Sequence, residues 1–305
     1  MKKILICGST GFIGRNIFEL FQKEKEFQVI GVHHTDFDLT NREDILKLFS
    51  VVEPDVIIQA AATTSGSKDI ITRPYYHVTD NAVMNSLLLR EAYEQGVSHF
   101  IFFSCTVMYP ITRRVAKESD FDGNIGEKYF GVGWTKVYLE KMCEFYSRLG
   151  KTQFTVIRHS NIYGPYDKFD LDKSHVFGAT VAKVMDSNGS IAVWGDGTEE
   201  RDLLYVDDLV RFVRLVIDKQ KSPFELVNVG SGESISVTEL VRKIIIACGK
   251  EGTEIKYDLT KPTIPTKLTL DCAKAKEKFR WKPQVSLDEG IKRTVDWYKE
   301  AYEKV

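Results

Sequence analysis

The chain has 305 residues, of which 43% are hydrophobic and 28% charged. That composition supports a sizeable core and argues against disorder. A formal net charge of −1 leaves no bulk electrostatic footprint for nucleic acid or an anionic membrane surface, so neither is an expected partner. The five cysteines, Cys7, Cys105, Cys143, Cys248 and Cys272, are scattered and lack CxxC spacing. This argues against a disulfide framework and a structural zinc site, and no metal is expected. The opening MKKILICGSTG has two lysines, but its apolar run, residues 4–7, stops at Gly8, short of a secretory signal. No window approaches the ~18 apolar residues of a membrane span. The expectation is a soluble, cytoplasmic protein.

In chain order, KKILICG, FQVIGVH, PDVIIQAA, HFIFFSC and FTVIRHS are short β-branched runs that read as buried strands. Between them, residues 14–23, 42–51, 81–95 and 133–149 show helical spacing. In the last of these, Val137, Met142, Phe145 and Leu149 form an apolar stripe, with Gly150 as the stop. Alternation of continuous apolar strands with helices implies a parallel sheet covered on both faces. After Tyr163-Gly164-Pro165 the rhythm changes. The strands IAVWG and ELVNVG flank a helical run at 207–218, and helices at 237–248 and about 287–302 close the chain. The predicted fold class is α/β: a Rossmann-type doubly wound parallel sheet with a smaller C-terminal α/β substrate lobe. Residues 1–163, with about 200–222, are assigned to the dinucleotide-binding domain, and about 164–199 and 223–305 to the second lobe.

Gly8, Ser9, Thr10, Gly11, Phe12, Ile13 and Gly14 follow the first strand and open the first helix. In such a loop Gly8 makes the tight turn, Gly11 lets the backbone approach a pyrophosphate, and Gly14 allows close helix–strand packing. Exposed N–H groups and the helix dipole then favour phosphate. A glycine triplet alone is weak evidence, but its place at the first strand–helix junction makes a dinucleotide site the expected reading. The coenzyme stays open between NADP and NAD. The second strand ends in His33 and His34, which can donate to a 2′-phosphate, whereas Asp36 and Asp38, followed by Leu39, lie further on. The reading leans to NADP; two exposed loop histidines are the plain alternative.

With GSTGFIG are found DVIIQAAA (55–62), Asn81, SCTVMYP (104–110), GWTK (133–136), NIYGP (161–165) and VWGDGTEERDLLYVDDL (193–209). As a set these motifs resemble the extended short-chain dehydrogenase/reductase family of sugar-nucleotide epimerases, dehydratases and reductases. DKSHVFGA (172–179) is similar to the segment of the GDP-4-keto-6-deoxymannose epimerase/reductases that carries an acid/base histidine, here His175. The resemblance implies that Ala60, Ala61, Ala62, Lys136, His159, Asn161 and Ile162 line the cofactor. It implies also that Asn161, His175, Lys183, Trp194 and Arg201 face a nucleotide-diphosphate sugar, a GDP-sugar being favoured. Cationic clamps and a flat aromatic surface suit that ligand. The family further implies a homodimer through the helices at 81–95 and 133–149, for which Leu139, Met142 and Tyr146 are candidate exposed apolar residues.

Three departures fall on the chemistry. The family's Tyr-x-x-x-Lys pair keeps Lys136 but has Val132 at the tyrosine position, the Ser/Thr position holds Cys105, and Val107 stands where a cysteine is used in epimerisation. Tyr129 lies seven residues before Lys136, about 10.5 Å along an ideal helix, so it can substitute only if Gly131 and Gly133 break the helix. Cys105, Thr106 and His175 are the other candidate proton carriers. The leading expectation is an NAD(P)-dependent sugar-nucleotide epimerase/reductase or dehydrogenase. The alternatives are a binding protein that has lost turnover and an epimerase without net redox.

Overall fold

The computed structural model describes residues 1–63, 74–110, 115–171, 174–261 and 266–302. Asp172 and Lys173 of the DKSHVFGA segment lie outside the described residues. Six strands, β1 (Lys2–Cys7), β2 (Phe27–Val32), β3 (Val56–Gln59), β4 (His99–Ser104), β6 (Gln153–His159) and β10 (Phe224–Val229), form one sheet. Its order is β2-β1-β3-β4-β6-β10, and every neighbouring pair is parallel. The chain reverses its direction across the sheet between β1 and β3, the place where α/β sheets bind ligands outside their carboxyl ends.

Alternation along β1 divides the core. Ile4 and Ile6 face α1 (Phe12–Phe21) and α6 (Val206–Lys219); Leu5 and Cys7 face α2 (Arg42–Val52), α3 (Pro74–Glu94) and α4 (Phe130–Arg148). Burying both faces produces the near-continuous apolar strands seen in the sequence. Caps set the ends of α2: Asn41 accepts from the Glu43 N–H, and Glu53 closes the helix in a left-handed conformation.

The second lobe has a five-stranded sheet in the order β11 (Ser234–Ser236), β9 (Glu200–Tyr205), β13 (Lys267–Leu270), β5 (Val115–Ala116), with β7 (Asn161–Tyr163) also on β9. A two-stranded parallel pair, β8 (Ser190–Trp194) with β12 (Glu254–Asp258), accompanies it. Helices α5 (Val176–Met185), α7 (Val237–Cys248) and α9 (Leu287–Tyr302) enclose its core with Phe177, Val181, Leu240, Ile244 and Val295.

Three expectations are corrected. ELVNVG, assigned above to the second lobe, is β10, paired with β6 along its whole length. Residues 200–205, assigned to the first domain, are the central strand of the second sheet. The chain also returns to the first lobe at α8 (Ala273–Phe279), where Ala275, Phe279 and Trp281 pack into the α1/α6 face. Local pattern cannot see these returns, because a buried apolar strand satisfies either sheet. The stripe on α4 is also reassigned. Leu139 is fully buried and Met142 and Tyr146 pack on the core, whereas Phe145 and Leu149 are exposed. The outward face is Phe130, Trp134, Tyr138 and Phe145, close to the four-residue recurrence of a helix.

Asp202 joins the two lobes. Its buried carboxylate accepts from the N–H groups of Ser231 at 2.8 Å, Gly232 at 3.2 Å and Leu270 at 3.0 Å, tying β9 to the loop after β10 and to β13. Within the first sheet, the buried His99 ring meets Thr155 Oγ1 through Nε2 at 2.7 Å. Burial, with a smaller contribution from the Lys2 charge, lowers its pKa from 6.5 to about 4. Between those values the unfolded ring takes a proton that the folded ring refuses. Stability contributed by neutral His99 is therefore present above pH 6.5 and lost as pH falls toward 4. Urea melts across this range are expected to show a loss of about 3 kcal/mol attributable to this ring, and His99→Gln removes that share of the slope.

Candidate active site

The register of the parallel sheet assembles the site. Cys7, Val32 and Gln59 are level across β1, β2 and β3, so the glycine loop, His33 and Ala60 leave the sheet side by side. Ser104 is level with Arg158 on β6, which sends Cys105 and His159 out at the same edge.

In the glycine loop Gly8 has φ +77°, and its N-side turn is closed by Gly11 N–H donating to the Gly8 carbonyl at 3.0 Å. A Cβ on Gly8 would lie 2.7 Å from the Ala61 backbone, and one on Gly14 only 2.1 Å from the Gly8 carbonyl. Gly14 thus brings α1 directly against the loop. Ser9 reaches over Gly31 to donate to the Val32 carbonyl at 3.2 Å. The start of α1 has no side-chain cap and no acidic residue in its first turn. Its open N–H groups, from the Phe12–Gly14 segment, fit a pyrophosphate. Thr10 is exposed, and Phe12 and Ile13 are half-buried against the core.

The rest of the expected cofactor set divides by environment. Ala60 and Ala61 are half-buried and Ala62 is exposed, small side chains beside the loop. Their segment is held by Asn81, which accepts from Thr63 N–H at 3.1 Å and donates to its carbonyl at 3.0 Å. His33 Nδ1 accepts from the Thr35 N–H at 3.3 Å, which leaves the ring proton on Nε2. The His33 and His34 rings lie 4.6 Å apart. Asp38 accepts from the Thr40 N–H at 2.9 Å and its hydroxyl at 2.7 Å, and those bonds, the hydroxyl first, lower its pKa. It is engaged in its own turn. Leu39 and Ile162 are buried packing residues of the two core faces. Asn161 donates to the Asp202 carbonyl at 3.2 Å, a link between β7 and β9.

At the reactive end, Lys136 Nζ donates to the Phe103 carbonyl at 2.8 Å and lies 4.7 Å from the Phe102 ring centre. Burial lowers its pKa, with Cys105 and Glu140 opposing. The half-buried Cys105 thiol is shifted upward by burial, against the pull of the Lys136 ammonium. His159 donates from Nδ1 to the Ser160 carbonyl at 2.7 Å; burial holds its pKa near 4, with Lys136 and His175 adding to the shift. It is therefore neutral and presents Nε2 as an acceptor. His175 is the N-cap residue of α5, exposed at its own surface, its pKa lowered by the surrounding protein and by Lys168. Thr106 is half-buried, and its carbonyl receives the Tyr109 N–H.

Tyr129 reaches this cluster by a different route from the one expected. Gly131 and Gly133 do not break α4; both are helical. A Cβ on either would lie 2.8 Å from Val78 or Ile125, so they serve close packing. The helix simply begins later, at Phe130, and Tyr129 ends a short 3-10 turn (Glu127–Tyr129) before it. From there its phenol is close enough for Arg201 to lower its pKa and Cys105 to raise it, burial being the larger upward effect. Ile125 and Val107 close over Gly133.

In the second lobe, Trp194 is about half exposed at the end of β8, with Lys183 Nζ 5.6 Å and Lys261 Nζ 5.9 Å from its ring centre. Lys183 also donates to the Ala192 carbonyl at 3.1 Å. Arg201 donates to the Glu200 carbonyl and to Thr266 Oγ1, each at 2.8 Å. Lys261 was not anticipated: it sits in a polar run without periodicity, and only the pairing of β12 with β8 brings it to the tryptophan.

The sequence pattern of the NAD dependent epimerase/dehydratase family matches residues 4–230. The chain belongs to that family. It is similar to a GDP-L-colitose synthase of Yersinia pseudotuberculosis, 27% identical over 303 residues, with 97% of each chain covered. It is also similar to GDP-L-fucose synthase 1 of Arabidopsis thaliana, 28% identical over 302 residues, covering 97% of this chain and 93% of that one. Among solved structures, a UDP-glucose 4-epimerase of Thermotoga maritima superposes with a TM-score of 0.87 at 26% identity, covering 98% and 99% of the two chains. A GDP-D-glycero-L-gluco-heptose synthase of Campylobacter jejuni shares the fold, with a TM-score of 0.89 at 22% identity over 98% of each chain.

As a member of this epimerase/dehydratase family the protein is an NAD(P)-dependent enzyme. The contact between Gly14 and the Gly8 carbonyl is the tightest in its coenzyme loop. Gly14→Ala is expected to cost about 1–3 kcal/mol in thermal melts and to weaken NADPH binding in a calorimetric titration. Gly252→Ala, where a Cβ meets nothing within 4 Å, leaves both unchanged.

Proposed function

We propose that the protein is an epimerase/reductase or dehydrogenase acting on a nucleotide-diphosphate sugar of the GDP-4-keto-6-deoxy type. The observation that supports this best is the meeting of Lys136, Cys105, Tyr129, His159 and His175 at the carboxyl edge of the sheet, with Trp194 and Arg201 on the opposing lobe. NADP is favoured over NAD: the outward Nε2–H of His33 and the neighbouring His34 offer donors to a 2′-phosphate, and Asp38 is turned into its own loop. The names of the relatives, GDP-L-colitose synthase and GDP-L-fucose synthase 1, favour a GDP-sugar.

When bound, the nicotinamide supplies or accepts a hydride at a sugar carbon. In this reading Lys136, with one N–H spent on Phe103, grips the ribose and keeps positive charge beside the reacting oxygen. Tyr129 takes over proton transfer at that oxygen from the missing tyrosine at 132, its phenol polarised by Arg201. His175, its pKa lowered by the surrounding protein and by Lys168, removes a proton next to the sugar carbonyl during epimerisation. Arg201 and Lys183 clamp the diphosphate, and the Trp194 face stacks on the base, with Lys261 beside it.

Incubation with NADPH and a panel of 4-keto GDP-sugars is expected to consume the reduced nicotinamide and yield a reduced sugar. Absence of turnover with every member would reject the reading. Tyr129→Phe should lower kcat by about 10²-fold or more, while coenzyme affinity holds. Trp194→Ala should raise KM by roughly 5- to 150-fold, the worth of about 1–3 kcal/mol of base stacking.

We further propose a homodimer through α3 and the outward aromatic face of α4. Light scattering should give twice the chain mass, and a Tyr138→Glu/Phe145→Glu variant should run as a monomer; an unmodified chain that is monomeric at micromolar concentration would rule this out.

A further inference from the structure

A chain of buried polar groups runs directly beneath Cys105 and Lys136 and is used by none of the chemistry above. Glu140 follows Lys136 by one helical turn on α4. Its Oε1 accepts from Ser104 Oγ at 2.5 Å and from Arg158 Nε at 2.9 Å, and its Oε2 accepts from Arg158 Nη2 at 2.6 Å. Arg158 Nη1 donates to Tyr109 OH and to the Glu118 carbonyl, both at 3.1 Å. Tyr109 OH donates to Asn228 Oδ1 at 2.6 Å. Asn228 Nδ2 donates to the carbonyls of Ala116 at 2.9 Å and Asp271 at 3.3 Å. Glu140 and Arg158 are 4% and 3% exposed.

Such a network is expensive to keep. Apolar side chains of similar volume would serve packing equally well, and what ions add is fixed direction. Here the fixed directions converge on reactive residues. Ser104 precedes Cys105, Glu140 shares a helix face with Lys136, and Asn228 ends the chain on β5 of the second sheet. The bidentate fork admits one alignment of α4 against β6.

We propose that Glu140 and Arg158 are a positioning pair: locked to each other, they hold Lys136 against Cys105 and tie that geometry, through Tyr109 and Asn228, to the second lobe. This rests on the reading that Lys136 and Cys105 border the nicotinamide, but its test does not require that reading. The charged groups acting on the Cys105 thiol are Lys136 and Glu140 from α4 and Arg158 from β6, with the Tyr129 phenol also in reach. Glu140 pushes the thiol pKa up, and Arg158 pulls it down.

The pH profile of Cys105 alkylation by iodoacetamide, followed by peptide mass spectrometry on the full chain, reads this arrangement. Glu140→Gln leaves Arg158 unopposed and should move the alkylation midpoint to lower pH. Arg158→Gln should move it to higher pH. The double variant, two neutral amides that can still bond each other, should return it toward the starting value. Shifts of the two single variants in the same direction, toward that of a free thiol, would mark simple loosening and overturn the proposal, as would no shift in either. NADPH affinity measured alongside separates the two readings. If the midpoints move as stated while affinity is unaffected, the positioning pair stands and the placement of Lys136 at the nicotinamide fails.

Discussion

The structure depends on one ion pair held out of water. Arg158 and Glu140 meet through two parallel hydrogen bonds inside the first lobe, and neither charge has solvent to fall back on. Removing one partner from such a pair typically costs about 3–5 kcal/mol, because the other is left charged and dry. The surrounding groups engage all three guanidinium nitrogens. Ser104 fills the remaining side of the carboxylate, and Tyr109 and the Glu118 carbonyl take the remaining guanidinium nitrogen. The Tyr109 phenol is itself pushed up to about 12, by burial first and against the pull of Arg158. It stays protonated and can keep donating to Asn228.

Above this layer, the reactive end is defined by strand register. Parallel pairing places the ends of β1, β3, β4 and β6 at one edge, and each releases a residue of the candidate site: Gly8, Ala60, Cys105 and His159. The second lobe supplies Trp194, Arg201 and His175 from elements that cross to it at β7 and return at α6. Asp202 holds that crossing shut by accepting backbone N–H groups from the loop after β10 and from β13. The two halves of the candidate site are thereby fastened to separate sheets whose relative placement rests on buried polar contacts.

The departures from the family pattern also have physical company. Val132 stands at the family's tyrosine position, and Val107 and Ile125 pack over the neighbouring Gly133. Tyr129 instead stands beside Arg201 and Cys105, the one phenol in electrostatic contact with both lobes' reactive residues among the described residues. The glycines between Tyr129 and Lys136, whose breaking of the helix was the condition for Tyr129 to substitute, are spacers that let α3 and the loop before α4 press against the helix.

The sequence by itself determined the alternating strand–helix plan, the coenzyme loop and the family, because these are carried by short contiguous patterns. Two-residue alternation, helical spacing and a glycine triplet at a strand end do not depend on distant neighbours. It also showed where the chemistry departs, since a missing tyrosine is visible in one line of text. Only the tertiary structure decided which sheet ELVNVG joins, which face of α4 is outward, where Tyr129 points, and that Lys261 meets Trp194. Each of those rests on contacts between segments far apart in the chain. Ile162 and Leu39, expected beside the cofactor, are also members of the two core clusters, a packing role that short motifs do not reveal. The Arg158–Glu140 pair was equally hidden: eighteen positions separate the two charges, and nothing in composition or spacing says that a charge will be buried rather than solvated.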